Sequence, residues 1–451
     1  MSNSILATLN KKTKITLSDY PYKRDIENRI FLSDLSLLEV SVLQEILNSS
    51  IKIPLSELSS QLDLEIDQLQ PIIDKLSTTG LLCRQKDSIF VDKELRKYFE
   101  FYIQEFEEDF EPNVDFLLGI LNKVPISVLP TWYNISKTSD NIYASLIEKF
   151  LQTPKIYEKH LNEISFPDPL FQSIIRDVFE SKDLMVPTEE LRKIHNLSKE
   201  KFEELMLQLE FHLVLCVRYR KHQNKWQAVV TPFHEWHDYL EFLEKTKPKT
   251  IAKIDTITQE YPGEPFGLLL EIQQLLKQAH SGKSKKNQTF SPLAIQYAEM
   301  MNFVELVEGK IVARENPESF LEMSLQDQSM YLYRHAFSEV IRTNEYHIEN
   351  PERSFREVEK SLRRVLHSGW ILLEDFLSGF ISQVGKEDPI SLKRVGKKWR
   401  YAVPQYSSAE KKFIETIILG PLAAAGLVAK GTYEGKPCFM VSSFGKVAFG
   451  E

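Results

Sequence analysis

Apolar positions along this chain fall into a repeated order, in which stretches at helical spacing give way to two short β-prone runs. Leu37, Leu38, Val42, Leu43, Ile46 and Leu47 recur at the period of a helix. PLSELSSQLDL then predicts a second short helix with Ser56 near its start, and Asp67 can cap a third that runs to Thr79. Gly80 ends it. Leu81-Leu82-Cys83 and Ile89-Phe90-Val91 follow as two strands around the polar tip Arg84 to Ser88. The order returns from Thr188 to Thr231, with a short helix at Thr188 to Ile194, a third helix capped by Ser198 from Lys199 to Glu210, and strands at Leu213 to Arg218 and Trp226 to Val230. A third unit begins at Pro292, with strands Val304 to Val307 and Ile311 to Ala313 around Gly309. The last closes the chain: an apolar helix from Phe413 stops at Gly426, a residue free to take left-handed backbone, and strands Leu427 to Lys430 and Cys438 to Val441 flank a Gly- and Pro-containing connection, Gly431 to Pro437.

Helices followed by a two-stranded wing form the pattern of a winged helix. The fold class expected is mainly α with small β wings, as tandem winged-helix units joined by helical segments. The boundaries read as an N-terminal arm at 1–36 that docks or stays loose, a first unit with an aromatic helix at 37–110, a helical connector at 111–185, a second unit at 186–240, a helical linker at 241–290, a third unit at 291–350 and a C-terminal winged-helix domain at 351–451. Prolines at 125, 130, 154, 167 and 169 break the connector into short helices. The turn Tyr261 to Pro265 and the polar tract from His280 to Asn287 punctuate the linker. In the aromatic helix, Tyr98, Phe99, Phe101, Tyr102, Phe106 and Phe110 suit a core, beside the acidic Glu105, Glu107, Glu108, Asp109 and Glu111. Those acids read as a solvated face, or as a docking site for a basic partner.

Composition narrows the function classes. With 451 residues, several domains of ordinary size are expected. There are 56 Lys and Arg against 64 Asp and Glu, a net charge of −8, so the chain as a whole has no pull toward nucleic acid or anionic membrane. Cys83, Cys216 and Cys438 are far apart, which argues against a disulfide framework or a cysteine zinc site and fits a cytoplasmic location. The start MSNSILATLNKKTK lacks a signal-peptide core, and the longest apolar run, Ile417 to Ala429, is too short to span a bilayer.

Motifs for chemistry are weak. Gly282-Lys283-Ser284 has Lys277 where a phosphate loop needs its first glycine, and a helix precedes it. In His234-Glu235-Trp236-His237 the histidines are three apart rather than the four that put both on one helical face. No nucleophile elbow or dinucleotide fingerprint stands out, so neither enzymatic activity nor a cofactor or metal is expected.

Nucleic-acid chemistry is local. The helices 67–79 and 199–210, which would enter a groove, are both net acidic, and phosphate repels them. The second wing instead offers Arg218, Arg220, Lys221, Lys225 and Trp226, and the run LKRVGKKWR offers Lys393, Arg394, Lys397, Lys398 and Arg400 around Trp399.

From about Ser291 onward, LAIQYAEMMNFVELVEGKIVA, ESFLEMSLQDQSMYLYRHAF, GWILLEDFL, IETIILGPLAAAGLVAKG and SSFGKVAFG together resemble the helicase-associated regions of bacterial XPB-type helicases. That resemblance implies winged modules that position nucleic acid beside a motor. The motor's phosphate loop and acidic motif do not appear in the sequence. The expectation is a non-enzymatic nucleic-acid-associated protein that contacts double-stranded DNA through wing and loop cations; the alternative is a scaffold or assembly subunit whose winged helices bind other protein subunits. Neither involves a membrane.

Overall fold

The computed structural model describes residues 15–166, 168–261, 265–281, 289–386, 388–396 and 398–450. Most of the expected flexible tract at 280–287, the Gly282-Lys283-Ser284 motif, the centre of the 261–265 turn and Lys397 lie outside them. The described residues are mostly helical with small antiparallel sheets. They fall into two compact units: the chain up to Leu240 with Leu392–Tyr401, and Glu241–Ser391 with Ala402 onward.

In the first unit, α1 (Tyr22–Ser33) lies within the expected arm, and α2 (Leu37–Asn48) starts at a capping box made by Ser36 and Glu39. Strand β1 (Lys52–Pro54), α3 (Leu55–Leu62) and α4 (Ile66–Ser77) lead into the hairpin β2 (Leu82–Gln85) and β3 (Ser88–Val91), with sheet order β1-β3-β2. The α4 cap is Glu65, with Gln68 returning its bond, and not Asp67. Helices α5 (Lys93–Ile103) and α6 (Val114–Leu121) follow, then the short α7 (Leu129–Tyr133), α8 (Ile142–Leu146), α9 (Pro154–Glu163) and α10 (Pro169–Phe179). Three of these last four have proline within the first two helical positions, where its missing N–H costs nothing. Strand β4 (Val186–Pro187), α11 (Thr188–Ile194), α12 (Lys199–Phe211) and the hairpin β5 (Leu215–His222) and β6 (Lys225–Pro232) repeat the first order, β4-β6-β5, before α13 (His234–Lys245).

The second unit contains β7 (Thr258–Gln259), α14 (Gly267–Ser281), α15 (Pro292–Met300), the hairpin β8 (Val304–Val307) and β9 (Lys310–Ala313), α16 (Glu318–Leu321), α17 (Leu325–Thr343) and α18 (Pro351–Ser361). Strand β10 (Ile371–Leu372) and α19 (Leu373–Ser378) precede the hairpin β11 (Ser391–Val395) and β12 (Lys398–Ala402), most of which belongs to the first unit. Then come α20 (Ser408–Ile417), β13 (Val428–Tyr433), β14 (Lys436–Val441) and α21 (Ser443–Phe449), in a sheet ordered β10-β14-β13-β7. A π-type turn at Ile418–Leu422 follows α20, where Pro421 has no N–H to give the helix ladder.

Two local devices recur. The strand before the second helix pairs a buried residue with a buried helical residue five positions on: Ile53 with Leu58, Val186 with Leu191, Ile371 with Phe376. The helix before every hairpin but β11–β12 ends in a left-handed residue, Gly80 (φ 80°), Leu213 (φ 64°), Asn302 (φ 63°) or Gly426 (φ 71°). In the last three, the next residue's N–H reaches back to the carbonyl of Leu209, Ala298 or Leu422 at 3.0 Å. This closes the helix and buries Val214, Phe303 or Leu427 against it. The hairpin tips are also tighter than their sequences suggest. Glu434-Gly435 and Gln223-Asn224 both have positive φ, so each turn takes two residues with the twist a hairpin favours. The strands therefore extend to Tyr433 and Lys436, and to His222 and Lys225, replacing the longer loops expected at 431–437 and 220–225.

Gly426 is the stringent case, because a Cβ there would sit 2.1 Å from the Pro265 carbonyl oxygen as well as at positive φ. Gly426→Val is expected to lower stability by at least about 2 kcal/mol in urea unfolding. Gly309→Ala, at φ 76° but with open space around it, is expected to cost about 1 kcal/mol. Equal costs would mean that Gly426 is kept for backbone freedom alone.

Candidate nucleic-acid interface

The β5–β6 hairpin is long because eight residues of each strand pair in register, from Leu215 opposite Pro232 to His222 opposite Lys225. Alternation then assigns its faces. Tyr219, Lys221 and Trp226 turn toward the segment after α5, where the Tyr219 and Phe106 rings stack at 4.0 Å and Trp226 meets Phe106 edge-on at 5.3 Å. Trp226 is thus half-buried packing, and its ring faces are not a free platform for bases. Lys221 reaches Glu108 at 3.4 Å. Arg218 and Arg220 occupy the opposite face, with Arg220 near the Met185 sulfur at 3.4 Å and the Arg218 Nε buried without a hydrogen bond.

The second set of cations lies on the β11–β12 hairpin. Tyr401 donates its hydroxyl to the Leu151 carbonyl at 3.0 Å, and the Leu392 N–H reaches the Gln152 carbonyl at 2.8 Å, so the hairpin is anchored at its base. Its outer part meets acids. Lys398 pairs with Glu111 at 2.6 Å, Arg394 with Asp115 at 3.4 Å, and the Trp399 indole N–H donates to Asp115 at 3.0 Å. The Arg394 guanidinium lies 6.0 Å over the Trp399 ring. Lys393 and Arg400 are exposed.

Both basic hairpins therefore converge on one acidic stretch, Glu108 to Asp115. Of the acids that the sequence assigns to solvent or to a basic partner, Glu108 and Glu111 pair within the same unit, Glu105 is buried, and Glu107 and Asp109 are exposed. Exposed pairs of this kind contribute little to stability, but each neutralises a cation that a phosphate would otherwise meet.

Sequence reasoning also missed a buried charge cluster beside α12. Arg29 of α1 donates from Nε to Glu203 at 2.7 Å and from both terminal nitrogens to Glu210 at 2.9 and 2.8 Å. Asp25, one turn earlier, accepts from Lys123 at 2.6 Å, Tyr98 at 2.7 Å and Tyr20 at 3.0 Å. Burial raises the carboxyls of Glu105 and Glu203, while burial of Asp25 is outweighed by Lys123 and Arg29, which hold it below the ordinary range. A signal was present: Glu203, Leu207 and Glu210 share one face of α12, and Leu207 is fully buried.

Near Glu111, α13 brings together His234, Glu235 and Asp238. His234 lies 3.2 Å from Glu111 and 3.1 Å from Asp238. Glu235 accepts the Val114 N–H at 2.9 Å through one oxygen, its other oxygen is buried without a partner, and burial pushes its carboxyl up to about 7. Among the described residues no group of three His, Cys, Asp or Glu is placed to hold a metal, and no helix is long and apolar enough to cross a membrane.

Because the folded Glu235 binds its proton more tightly than the unfolded chain does, its contribution is present below about pH 4.5 and is lost as pH rises through about 7. Glu235→Gln should flatten the fall in melting temperature over that window by an amount equivalent to on the order of 2–3 kcal/mol. An unchanged pH profile would show that the carboxyl is ionised in the fold. No protein-family profile matches the chain, and no curated protein proves similar to it.

Proposed function

We propose that this chain is a non-enzymatic assembly scaffold built of tandem winged helices, which bind other protein subunits. The recurrent order of helix, strand, helix, helix and hairpin, with the first strand pairing to the third, supports the winged-helix reading for the units at β1–β3, β4–β6 and β10 with β13–β14. The observation that carries the scaffold reading is the burial of α12. This helix would be the groove-entering element of its unit, yet Phe202, Glu203, Met206, Leu207 and Glu210 along it are buried and two of them are tied to Arg29. The third hairpin, β8–β9, fits the same reading, for it exposes Leu306, Val307 and Val312, while Arg314 is paired with Glu305 at 2.7 Å. An apolar wing suits a protein surface rather than a phosphate backbone.

Contact with double-stranded DNA is the second reading. It is favoured by exposed Arg220, His222 and Lys225 at the tip of the second hairpin, and by the resemblance of the last third to helicase-associated regions. Duplex binding measured across salt concentrations separates the two. The scaffold reading expects no log-linear salt dependence and retention of protein partners after nuclease treatment. A slope of about −0.9 per phosphate contact, reduced when Arg220, Lys221 and Lys225 are changed to Ala, would overturn it.

A further inference from the structure

Strand β4 pairs with β6 only at Val186 opposite Val230 and Pro187 opposite Val229. From Lys225 to Ala228, β6 therefore has an open edge on that side, and a cavity of about 390 Å³ lies against it, floored by α11 and α12. Among the donors that line this cavity are Arg192, His222, Lys225 and the indole of Trp226. The Nε of Arg192 and the Nε1 of Trp226 are both buried and make no hydrogen bond. A buried donor left unsatisfied loses the hydrogen bond it would make in water, and a bound acceptor would restore it.

The cavity's charges point to the ligand. Asp34 is neutralised by Lys199, and Glu203 by Arg29. Among the described residues Arg192 and Lys225 have no ion pair; the acids remaining near them, Glu189 on the lining and Glu200 within the field of Arg192, are exposed to solvent. Two uncommitted cations beside the Trp226 indole N–H and the His222 ring match a group that carries nearly two negative charges and several acceptor oxygens. A phosphate monoester, at about −1.5 to −2 near pH 7, is such a group, and a diester with one charge is not. The volume falls at the small end of ligand sites, which suits a small phosphorylated molecule or a single phosphorylated side chain.

We propose that this cavity is a phosphomonoester-binding site, with Arg192 and Lys225 holding the phosphate and the Trp226 indole N–H donating to it. It uses none of the surface assigned above to protein partners. The test is a titration of the full chain, labelled with nitrogen-15 at the tryptophan indoles, with O-phosphoserine, glucose 6-phosphate, dimethyl phosphate and sodium chloride at matched ionic strength. Trp226→Phe assigns the signal. The expected result is a saturable shift of the Trp226 indole with one or both monoesters, weakened about tenfold in Arg192→Gln and in Lys225→Gln, which leave the melting temperature unchanged. A tighter response to phosphoserine supports a phosphorylated side chain as the source, and a tighter response to the sugar phosphate a free metabolite. No shift with either monoester, the same shift with chloride or dimethyl phosphate, or full affinity in both variants overturns the proposal.

Discussion

Arg29 governs how the first unit can be used. Its guanidinium is almost fully buried and spends its donors on two carboxylates of one helix, Glu203 and Glu210. A buried charge is tolerated only when paired and hydrogen-bonded, so α1 and α12 cannot separate without exposing or stranding three charged groups. Four buried acids, Asp25, Glu105, Glu203 and Glu210, share the cations Arg29 and Lys123. Burial holds the Glu105 carboxyl well above its ordinary range, which favours its neutral form and limits the excess negative charge in the interior. A helix held in this way is a strut, and its buried face is not available to a partner.

The hairpins are then shaped by what they meet. Phe106 stacks on Tyr219 and fixes one face of β5–β6, while Glu108, Glu111 and Asp115 draw in Lys221, Lys398, Arg394 and Trp399. Three cations from what read as two basic patches in one dimension, Lys221, Arg394 and Lys398, become in the fold two sides of an acid-paired seam. The same packing leaves an open strand edge at Lys225 to Ala228, where unpaired donors collect.

Much of the helix and hairpin order was legible in the sequence, because it rests on periodicity. Ser198, Gly309 and Gly426 each mark a boundary by local chemistry that needs no tertiary partner. The strands at Ile53, Val186 and Ile371 were missed, since two or three residues carry no alternation to read and form only when the later hairpin supplies a partner. Leu213 was read as strand although it is left-handed, a conformation that glycine or asparagine advertises and leucine does not. The candidate cations were legible as residue types; their neutralisation was not, because Lys398 and Glu111 are far apart in the chain and no spacing links them.

The claim that α12 is an internal strut is tested most directly by a double-mutant cycle on Arg29→Met and Glu210→Gln, read through amide hydrogen exchange along α12. The account expects Arg29→Met to lower α12 protection by about 3–5 kcal/mol, and the double variant to lose less than the sum of the single losses, by about 1–3 kcal/mol of coupling. Additive losses, or an α12 that exchanges freely in the wild-type protein, would contradict it and return that helix to the surface as a binding element.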